Sequence, residues 1–267
     1  MDYIARFGLE FNPFLKNSKE IIVENDEFQE VRFRLNYLAE TKGFGVLTGS
    51  PGLGKTTALR TFAASLNPSQ YKVIYTSLST LTVMDFYRSI AEGFGEIPAH
   101  RKTDNFRIIQ EAINRLSIEK RITPIIIIDE ANHVSNGVLN DLKILFNFEM
   151  DSRDRAVVLL AGQPQLNNTL NLATQEPLRQ RIVMNYHMEG LTKESGRIYI
   201  TEKLKGAGCK QDIFEERAIE AILNAANGTP RLINKFCNTC LLIGHNDGLV
   251  TIDANTAMQA INDNQLG

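Results

Sequence analysis

The sequence lacks any apolar run close to the ~20 residues that a membrane-spanning helix needs. One of its most strongly apolar stretches, Ile125 to Ile128, is closed by Asp129. The first six residues contain no apolar core of the kind that a signal peptide carries. We therefore expect a cytoplasmic protein that does not enter a membrane.

Cysteine is scarce, with three residues in a chain of 267. Cys237 and Cys240 have the C-x-x-C spacing of some metal and redox sites, but no second pair follows them. They lie in an apolar pattern of helical spacing that includes Phe236 and Leu241. This context predicts cysteines packed in a helix and favours a reducing compartment.

The chain also lacks a strong charge of either sign. Its 29 Lys and Arg residues and 31 Asp and Glu residues leave a formal net charge of −2. The total charge is therefore not that of a strongly basic nucleic-acid binder, although single basic faces remain compatible with it.

The most informative segment that is present runs from Gly49 to Thr56 and fits the P-loop pattern G-x-x-x-x-G-K-[ST]. It stands between an apolar run and a helical pattern, as the motif requires. Backbone N–H groups of such a loop face phosphate oxygens, Lys55 would reach the β- and γ-phosphates, and Thr56 would hold Mg²⁺. The residues predicted to contact ATP are Gly49, Pro51, Gly52, Leu53, Gly54, Lys55, Thr56 and Thr57.

A second acidic motif follows the apolar run at 124–128, where Asp129 and Glu130 close a predicted buried strand. Ligands bind at the carboxyl ends of parallel strands. Asp129 would therefore hold Mg²⁺ directly or through water, and Glu130 would polarise the attacking water. Without the P-loop, an acidic turn before a helix would explain both residues as well.

Strand patterns alternate with helical patterns up to residue 190, which predicts an α/β fold with a parallel five-stranded sheet flanked by helices. We expect a loop from Gly93 to His100 and a helix over 135–148. Beyond residue 191 only helical patterns remain. The predicted organisation is an N-terminal arm at 1–23, a nucleotide-binding α/β subdomain at 24–190 and a small helical lid at 191–267.

Positive charge is needed beside a triphosphate and two carboxylates. Arg179 and Arg181 follow the fourth predicted strand, and Arg231 begins a predicted helix. Each could also be an ordinary surface arginine. The helix start favours a functional role for Arg231.

Several motifs together resemble AAA+ ATPases, and their order and sequences are most similar to those of the ExeA/GspA-type group. The motifs are the P-loop, Ile128-Asp129-Glu130-Ala131, Gly162-Gln163-Pro164-Gln165-Leu166, Leu178-Arg179-Gln180-Arg181-Ile182 and Gly228-Thr229-Pro230-Arg231. Further similarity lies at Phe7-Gly8-Leu9, Asn12-Pro13-Phe14, Tyr199-Ile200 and Pro230-Arg231-Leu232-Ile233-Asn234. The resemblance thus spans nearly the whole chain.

The resemblance implies a role for each matching residue. Lys55 and Thr56 fall in Walker A, and Asp129 and Glu130 fall in Walker B. Gln163 falls at sensor 1, where many AAA+ proteins have asparagine.

Three arginines and two hydroxyl residues complete the implied set. Arg179 or Arg181 falls at the arginine finger that reaches the ATP of a neighbouring subunit, and Arg231 falls at sensor 2. Thr76 or Ser77 could hold Glu130 inactive until a partner binds.

Among members of this group, the short transposition-associated ATPases (TniB, TnsC, MuB and IstB) look most similar. The segment at 147–152 resembles their sequences. The secretion-pathway members look longer, with a membrane segment and a cell-wall-binding domain, and this chain ends at Gly267 with neither. The resemblance implies an ATP-dependent homo-oligomer, a ring or a filament, that assembles on double-stranded DNA and regulates a DDE transposase.

Two other functions stay open at this point, an ATPase that acts on protein partners in secretion or envelope assembly, and a nucleotide-switched interaction module with little turnover. If DNA binds, Arg101 and Lys102 are candidate phosphate contacts, and Lys120 and Arg121 are weaker ones. A solvated loop explains either pair equally well.

Overall fold

The computed structural model describes residues 3–76, 82–149 and 153–264. Five parallel strands form one sheet in the order β2-β3-β4-β1-β5. They are β1 (Gly43–Gly49), β2 (Tyr71–Thr76), β3 (Thr123–Ile128), β4 (Val157–Gly162) and β5 (Ile182–Met188). The predicted five-stranded parallel sheet is therefore confirmed.

Twelve α-helices lie within the described residues. Those before β4 are α1 (Tyr3–Arg6), α2 (Asp26–Thr41), α3 (Lys55–Ser65), α4 (Val83–Phe94), α5 (Lys102–Asn114) and α6 (Asn136–Leu145). The later ones are α7 (Gln165–Leu170), α8 (Glu176–Arg179), α9 (Lys193–Gly206), α10 (Glu216–Ala226), α11 (Pro230–Asn246) and α12 (Ala254–Asn264). A π-helical turn at Arg115–Glu119 extends α5, and short 3-10 turns lie at Ala131–His133 and Ala173–Gln175.

Helices cover both faces of the sheet, which explains why β1 and β4 are buried along their whole length. Alternate strand residues such as Val46, Ile126 and Leu160 join one apolar cluster with α4, α5 and α6. On the opposite face α2 comes so close to β1 that a Cβ built on Gly45 would lie 2.3 Å from Leu38 Cδ2. Glycine at this position permits the close packing of helix on strand.

The chain forms two compact units. The first comprises the residues through Gln29, Gly52–Gly54 and the residues from Glu189 onward, and the second comprises Glu30–Pro51 and Lys55–Met188. The second unit contains the sheet. The subdomain boundaries proposed from the sequence, near residues 23 and 190, stay a prediction.

In the first unit the N-terminal residues pack against the C-terminal helices. Phe7 and Phe14 lie in the same apolar cluster as Ile200 and Leu241. Lys203 Nζ donates to the Pro13 carbonyl oxygen at 2.9 Å, and burial lowers the pKa of this lysine. The aromatic residues of the arm thus belong to the core of this unit.

Two helix ends differ from the sequence-based expectation. The helix α4 continues through Gly93 to Phe94, because it is Gly95 that adopts the left-handed conformation (φ 84°) and caps the helix. The helix α6 ends at Leu145 and not at residue 148. Its terminal carbonyls at Lys143 and Phe146 accept hydrogen bonds from Arg181 at 2.9 and 2.8 Å.

The three cysteines are free and buried. Burial raises the pKa of Cys240 to about 12 and that of Cys237 well above its ordinary value, so both thiols stay protonated. Among the described residues, no helix combines the length and apolar character that a bilayer crossing requires.

Candidate nucleotide-binding site

The P-loop connects β1 to α3, as the motif predicts. Gly52 and Gly54 have φ angles of 85° and 105°, in the left-handed region that favours glycine. The helix α3 begins at Lys55. The loop therefore ends at a helix N-terminus, where backbone N–H groups and the helix dipole attract anions.

Lys55 is buried, at 7% exposure, although it carries a charge. Its Nζ donates to the carbonyl oxygens of Gly49 at 2.7 Å and Ser50 at 3.0 Å. Both acceptors belong to the start of the same loop. The ammonium is thus held inside the loop, where a lysine that reaches nucleotide phosphates must lie.

Thr56 and Asp129 meet across the carboxyl edge of the sheet. Thr56 Oγ1 donates to Asp129 Oδ2 at 2.8 Å. Asp129 follows β3, is 3% exposed, and accepts the Glu130 N–H on its other oxygen at 2.9 Å. A hydroxyl and a carboxylate in contact are hard oxygen donors of the kind that Mg²⁺ prefers, so these two residues fit a magnesium ion bound with nucleotide.

A third group on this carboxylate, Tyr75, is absent from the sequence-based set. Its hydroxyl donates to Asp129 Oδ2 at 2.9 Å, and its side chain is half-exposed. Burial and then the bond to Asp129 raise the pKa of Tyr75 to about 12, so it remains a donor. The strand register could have revealed it, since Tyr75 pairs with Ile127, two residues before Asp129 on the same face.

Glu130 and Gln163 lie at the ends of neighbouring strands, β3 and β4. Glu130 is exposed and adopts a left-handed backbone conformation (φ 52°). Gln163 is partly buried, and its backbone N–H donates to Asn132 Oδ1 at 2.9 Å. The structure thus brings the predicted base and the predicted sensor 1 to one edge of the sheet.

The structure distinguishes the two candidate finger arginines. The side chain of Arg181 is 15% exposed and lies 3.5 Å from Asp154. It donates hydrogen bonds to the carbonyl oxygens of Lys143 and Phe146 at the end of α6. Arg179, at the end of α8, is 37% exposed and pairs with Glu176 at 2.9 Å within its own helix. It also donates to the carbonyl oxygens of Leu170 and Asn171 at 3.4 and 3.3 Å. Both arginines donate to backbone carbonyls, but Arg179 is the more exposed and its carbonyl bonds are the longer, so it has the greater freedom to reach another molecule.

In the first unit, Arg231 lies against the middle of the P-loop. It is exposed, and its backbone N–H donates to the Gly52 carbonyl oxygen at 3.3 Å. A Cβ built on Gly52 would lie 2.9 Å from Arg231 Cβ. Two residues that are 179 positions apart in the sequence thus come into contact.

The basic candidates for DNA contact have different surroundings. Lys102 Nζ pairs with Asp141 at 2.7 Å and lies 5.6 Å from the centre of the Tyr87 ring. Arg101, at the start of α5, is exposed. Lys120 and Arg121, before β3, are exposed too. Lys102 therefore has a structural role that the other three do not show.

Of the two residues expected to restrain Glu130, only one can be assessed. Thr76 is 6% exposed, and its Oγ1 has no hydrogen-bond partner among residues 3–76, 82–149 and 153–264. Ser77 lies outside the described residues, as do positions 150–152 of the segment that resembles transposition-associated relatives.

Comparison with known proteins finds a family match for about half of the chain. Residues 38–170 match the family model described as AAA domain. General secretion pathway protein A of Aeromonas hydrophila is 32% identical over 247 residues, which are 90% of this chain and 44% of that protein. The chain therefore spans less than half the length of this relative.

Solved structures match the fold over nearly the whole chain. Cdc6p of Pyrobaculum aerophilum has a TM-score of 0.71 at 16% identity and matches 95% of this chain and 71% of its own. The ORC1 protein of Aeropyrum pernix, solved in complex with DNA, has a TM-score of 0.68 at 15% identity, with coverages of 94% and 68%. At these identities the likeness shows the fold alone, an AAA+ P-loop NTPase fold.

The substitution Tyr75→Phe should weaken binding of Mg²⁺–ATP about fivefold, because Asp129 loses one of its hydrogen-bond donors. Binding of ATP in the presence of a chelator should stay unchanged, since within the described residues the Tyr75 hydroxyl bonds to Asp129 and to no residue of the P-loop. Isothermal titration with and without Mg²⁺ measures both values. Tyr71→Phe, at the other end of β2, is the matched control. Equal losses with and without Mg²⁺ would contradict a role for Tyr75 at the carboxylate.

Proposed function

We propose that the chain is an AAA+ ATPase and that it hydrolyses ATP to ADP and phosphate. The observation that carries this proposal is the convergence of Lys55, Thr56 and Asp129, with Thr56 Oγ1 2.8 Å from the carboxylate. Lys55 would bind the β- and γ-phosphates, and Thr56 and Asp129 would hold Mg²⁺. The bound metal ion would supply charge neutralisation on the phosphates.

Hydrolysis further requires a base and groups that bind the γ-phosphate. Glu130, exposed at the end of β3, would orient and polarise the attacking water. Gln163, at the end of the adjacent β4, would contact the γ-phosphate. Arg231, whose backbone N–H bonds to Gly52, would act as the sensor 2 residue that the motif resemblance implies.

A neighbouring copy of the chain would complete the site. Arg179 is the better candidate for the residue supplied in trans, because Arg181 is held by the end of α6 and by Asp154. Bound ATP would then favour assembly, since the nucleotide lies between two copies.

The client that we propose is double-stranded DNA, on which the oligomer would regulate or recruit a DDE transposase. The support is the similarity of the chain's motifs to short transposition-associated ATPases, together with the exposed cations Arg101, Lys120 and Arg121. The related fold of an ORC1 protein that was solved with DNA is compatible with this proposal. Contacts to phosphate would make binding depend on salt.

A second function has a specific observation in its favour. The 32% identity to general secretion pathway protein A over 90% of this chain supports an ATPase that acts on protein partners in secretion. In that case ATP would still drive assembly, but DNA would not be required. The two functions therefore share the site and differ in the partner.

Assembly on DNA tests the proposed client. With ATP, Mg²⁺ and moderate salt, the protein should shift a double-stranded DNA fragment and form rings or filaments on it by electron microscopy. The Lys55→Ala variant should do neither. An Arg101→Ala, Lys120→Ala, Arg121→Ala triple variant should assemble but bind DNA at least tenfold more weakly, with a smaller salt dependence.

The matched control replaces Arg107, an exposed arginine on α5 with a side chain 71% exposed. Assembly with ATP that ignores DNA would contradict the DNA proposal and favour a protein client. Absence of any ATP-dependent assembly would contradict both.

Mixing of variants tests the finger. Arg179→Ala should lower ATP hydrolysis by on the order of a hundredfold, because the transition-state charge loses its partner. Addition of Lys55→Ala subunits, themselves inactive, should restore part of the activity by supplying Arg179 in trans. Arg181→Ala should instead lower the free energy of unfolding by about 1–3 kcal/mol, since two carbonyls at the end of α6 lose their donor. No restoration by mixing would contradict a role for Arg179 in trans.

A further inference from the structure

Asn132 connects the two strand ends that carry Glu130 and Gln163. It lies two residues after Glu130, in the 3-10 turn Ala131–His133 that follows β3. Its Oδ1 accepts the backbone N–H of Gln163 at 2.9 Å, directly after β4. One side chain thus crosses from the turn after β3 to the turn after β4.

Gly162 shows that this approach is close. A Cβ built on it would lie 2.7 Å from Asn132 Oδ1, 3.0 Å from Asn132 N and 3.3 Å from Ala131 N. Real Cβ contacts rarely approach backbone atoms so closely, so a side chain at residue 162 would push the turn away. The missing side chain is what allows the turn after β3 to rest on the end of β4.

The backbone at Glu130 needs support of this kind. A left-handed conformation is unfavourable at a residue other than glycine and persists where neighbouring contacts hold it. Glu130 N–H donates to Asp129 Oδ1 at 2.9 Å, and its carbonyl accepts the His133 N–H at 3.0 Å. The bond from Asn132 to Gln163 ties the same turn to the neighbouring strand.

We propose that Asn132 is a positioning residue that fixes the separation of Glu130 from Gln163 and so couples the γ-phosphate contact to the base. The inference rests on the proposed ATP hydrolysis. A group that binds the γ-phosphate and a group that orients water must keep a constant geometry, because small misplacements of reacting groups slow a reaction strongly. The acceptor oxygen of Asn132 holds the backbone of Gln163 at a fixed distance from the turn that carries Glu130. Because it bonds to the backbone N–H, this contact does not depend on the side-chain rotamer of Gln163.

Two substitutions of similar size separate the acceptor oxygen from simple packing. Asn132→Leu removes the oxygen, and kcat should fall at least tenfold, by a larger factor than KM for ATP rises. Asn132→Asp keeps an oxygen at the same position and should retain kcat within about threefold. Asn136→Leu, at the exposed first residue of α6, is the matched control and should leave kcat unchanged.

A second readout does not depend on turnover. In a Glu130→Gln background, which should bind ATP but hydrolyse it very slowly, the ratio of the dissociation constants for ADP and ATP reports contact with the γ-phosphate. Asn132→Leu should lower this ratio at least threefold, and Gln163→Ala should lower it by a similar factor. The combination of Asn132→Leu with Gln163→Ala should lower it no further, because both act on one contact.

The outcomes distinguish this inference from the function on which it rests. If the wild-type protein hydrolyses ATP and Glu130→Gln does not, but Asn132→Leu matches the wild type, the positioning role of Asn132 is overturned and the proposed hydrolysis stands. Equal losses for Asn132→Asp and Asn132→Leu would overturn it as well. If the wild type itself fails to hydrolyse ATP, the proposed function fails first. If thermal denaturation shows that Asn132→Leu is not folded, Asn132→Ala replaces it, and the same results are expected.

Discussion

The parallel pairing of β3, β4 and β1 is the constraint on which the candidate site depends. Because these strands are neighbours and run in one direction, their carboxyl ends share one edge of the sheet. The hydrogen bond from Thr56 to Asp129, at 2.8 Å, spans this edge between residues that are 73 positions apart. A nucleotide site can form there only if the register of the strands is kept, which the buried apolar residues on both faces ensure.

The fold was predictable because its signals are local and strong. Continuous apolar runs identified β3 and β4 as buried strands, and alternation with helical patterns identified a parallel sheet. The P-loop placed β1 and α3 without ambiguity. Helix ends were less predictable, because α6 ends where Arg181, 36 residues after Leu145, supplies hydrogen bonds to its last carbonyls.

The site was predictable where a motif carries its own chemistry, as in Lys55, Thr56 and Asp129. It was not predictable where the role arises from packing between strands. Tyr75 and Asn132 carry no motif, and their contacts follow from register and from the absence of a side chain at Gly162. Likewise, no sequence pattern separates Arg179 from Arg181, whereas their side chains differ in exposure, 37% against 15%.

The residues at this edge of the sheet differ in burial, and the difference matches their proposed roles. Lys55 and Asp129 are buried and held by several hydrogen bonds, as suits groups that bind phosphate and metal. Glu130 and Arg179 are more exposed, as suits groups that act on water or on a neighbouring copy. Such a site would respond to nucleotide and to assembly together.

The central claim is that Glu130 activates water at a nucleotide held by Lys55. The most direct measurement is single-turnover hydrolysis of ATP by the assembled protein, compared with Glu130→Gln and with Glu119→Gln, an exposed glutamate before β3. The account predicts that Glu130→Gln binds ATP with unchanged affinity but cleaves it at least a hundredfold more slowly, while Glu119→Gln behaves as the wild type. Hydrolysis that survives unchanged in Glu130→Gln would contradict the account.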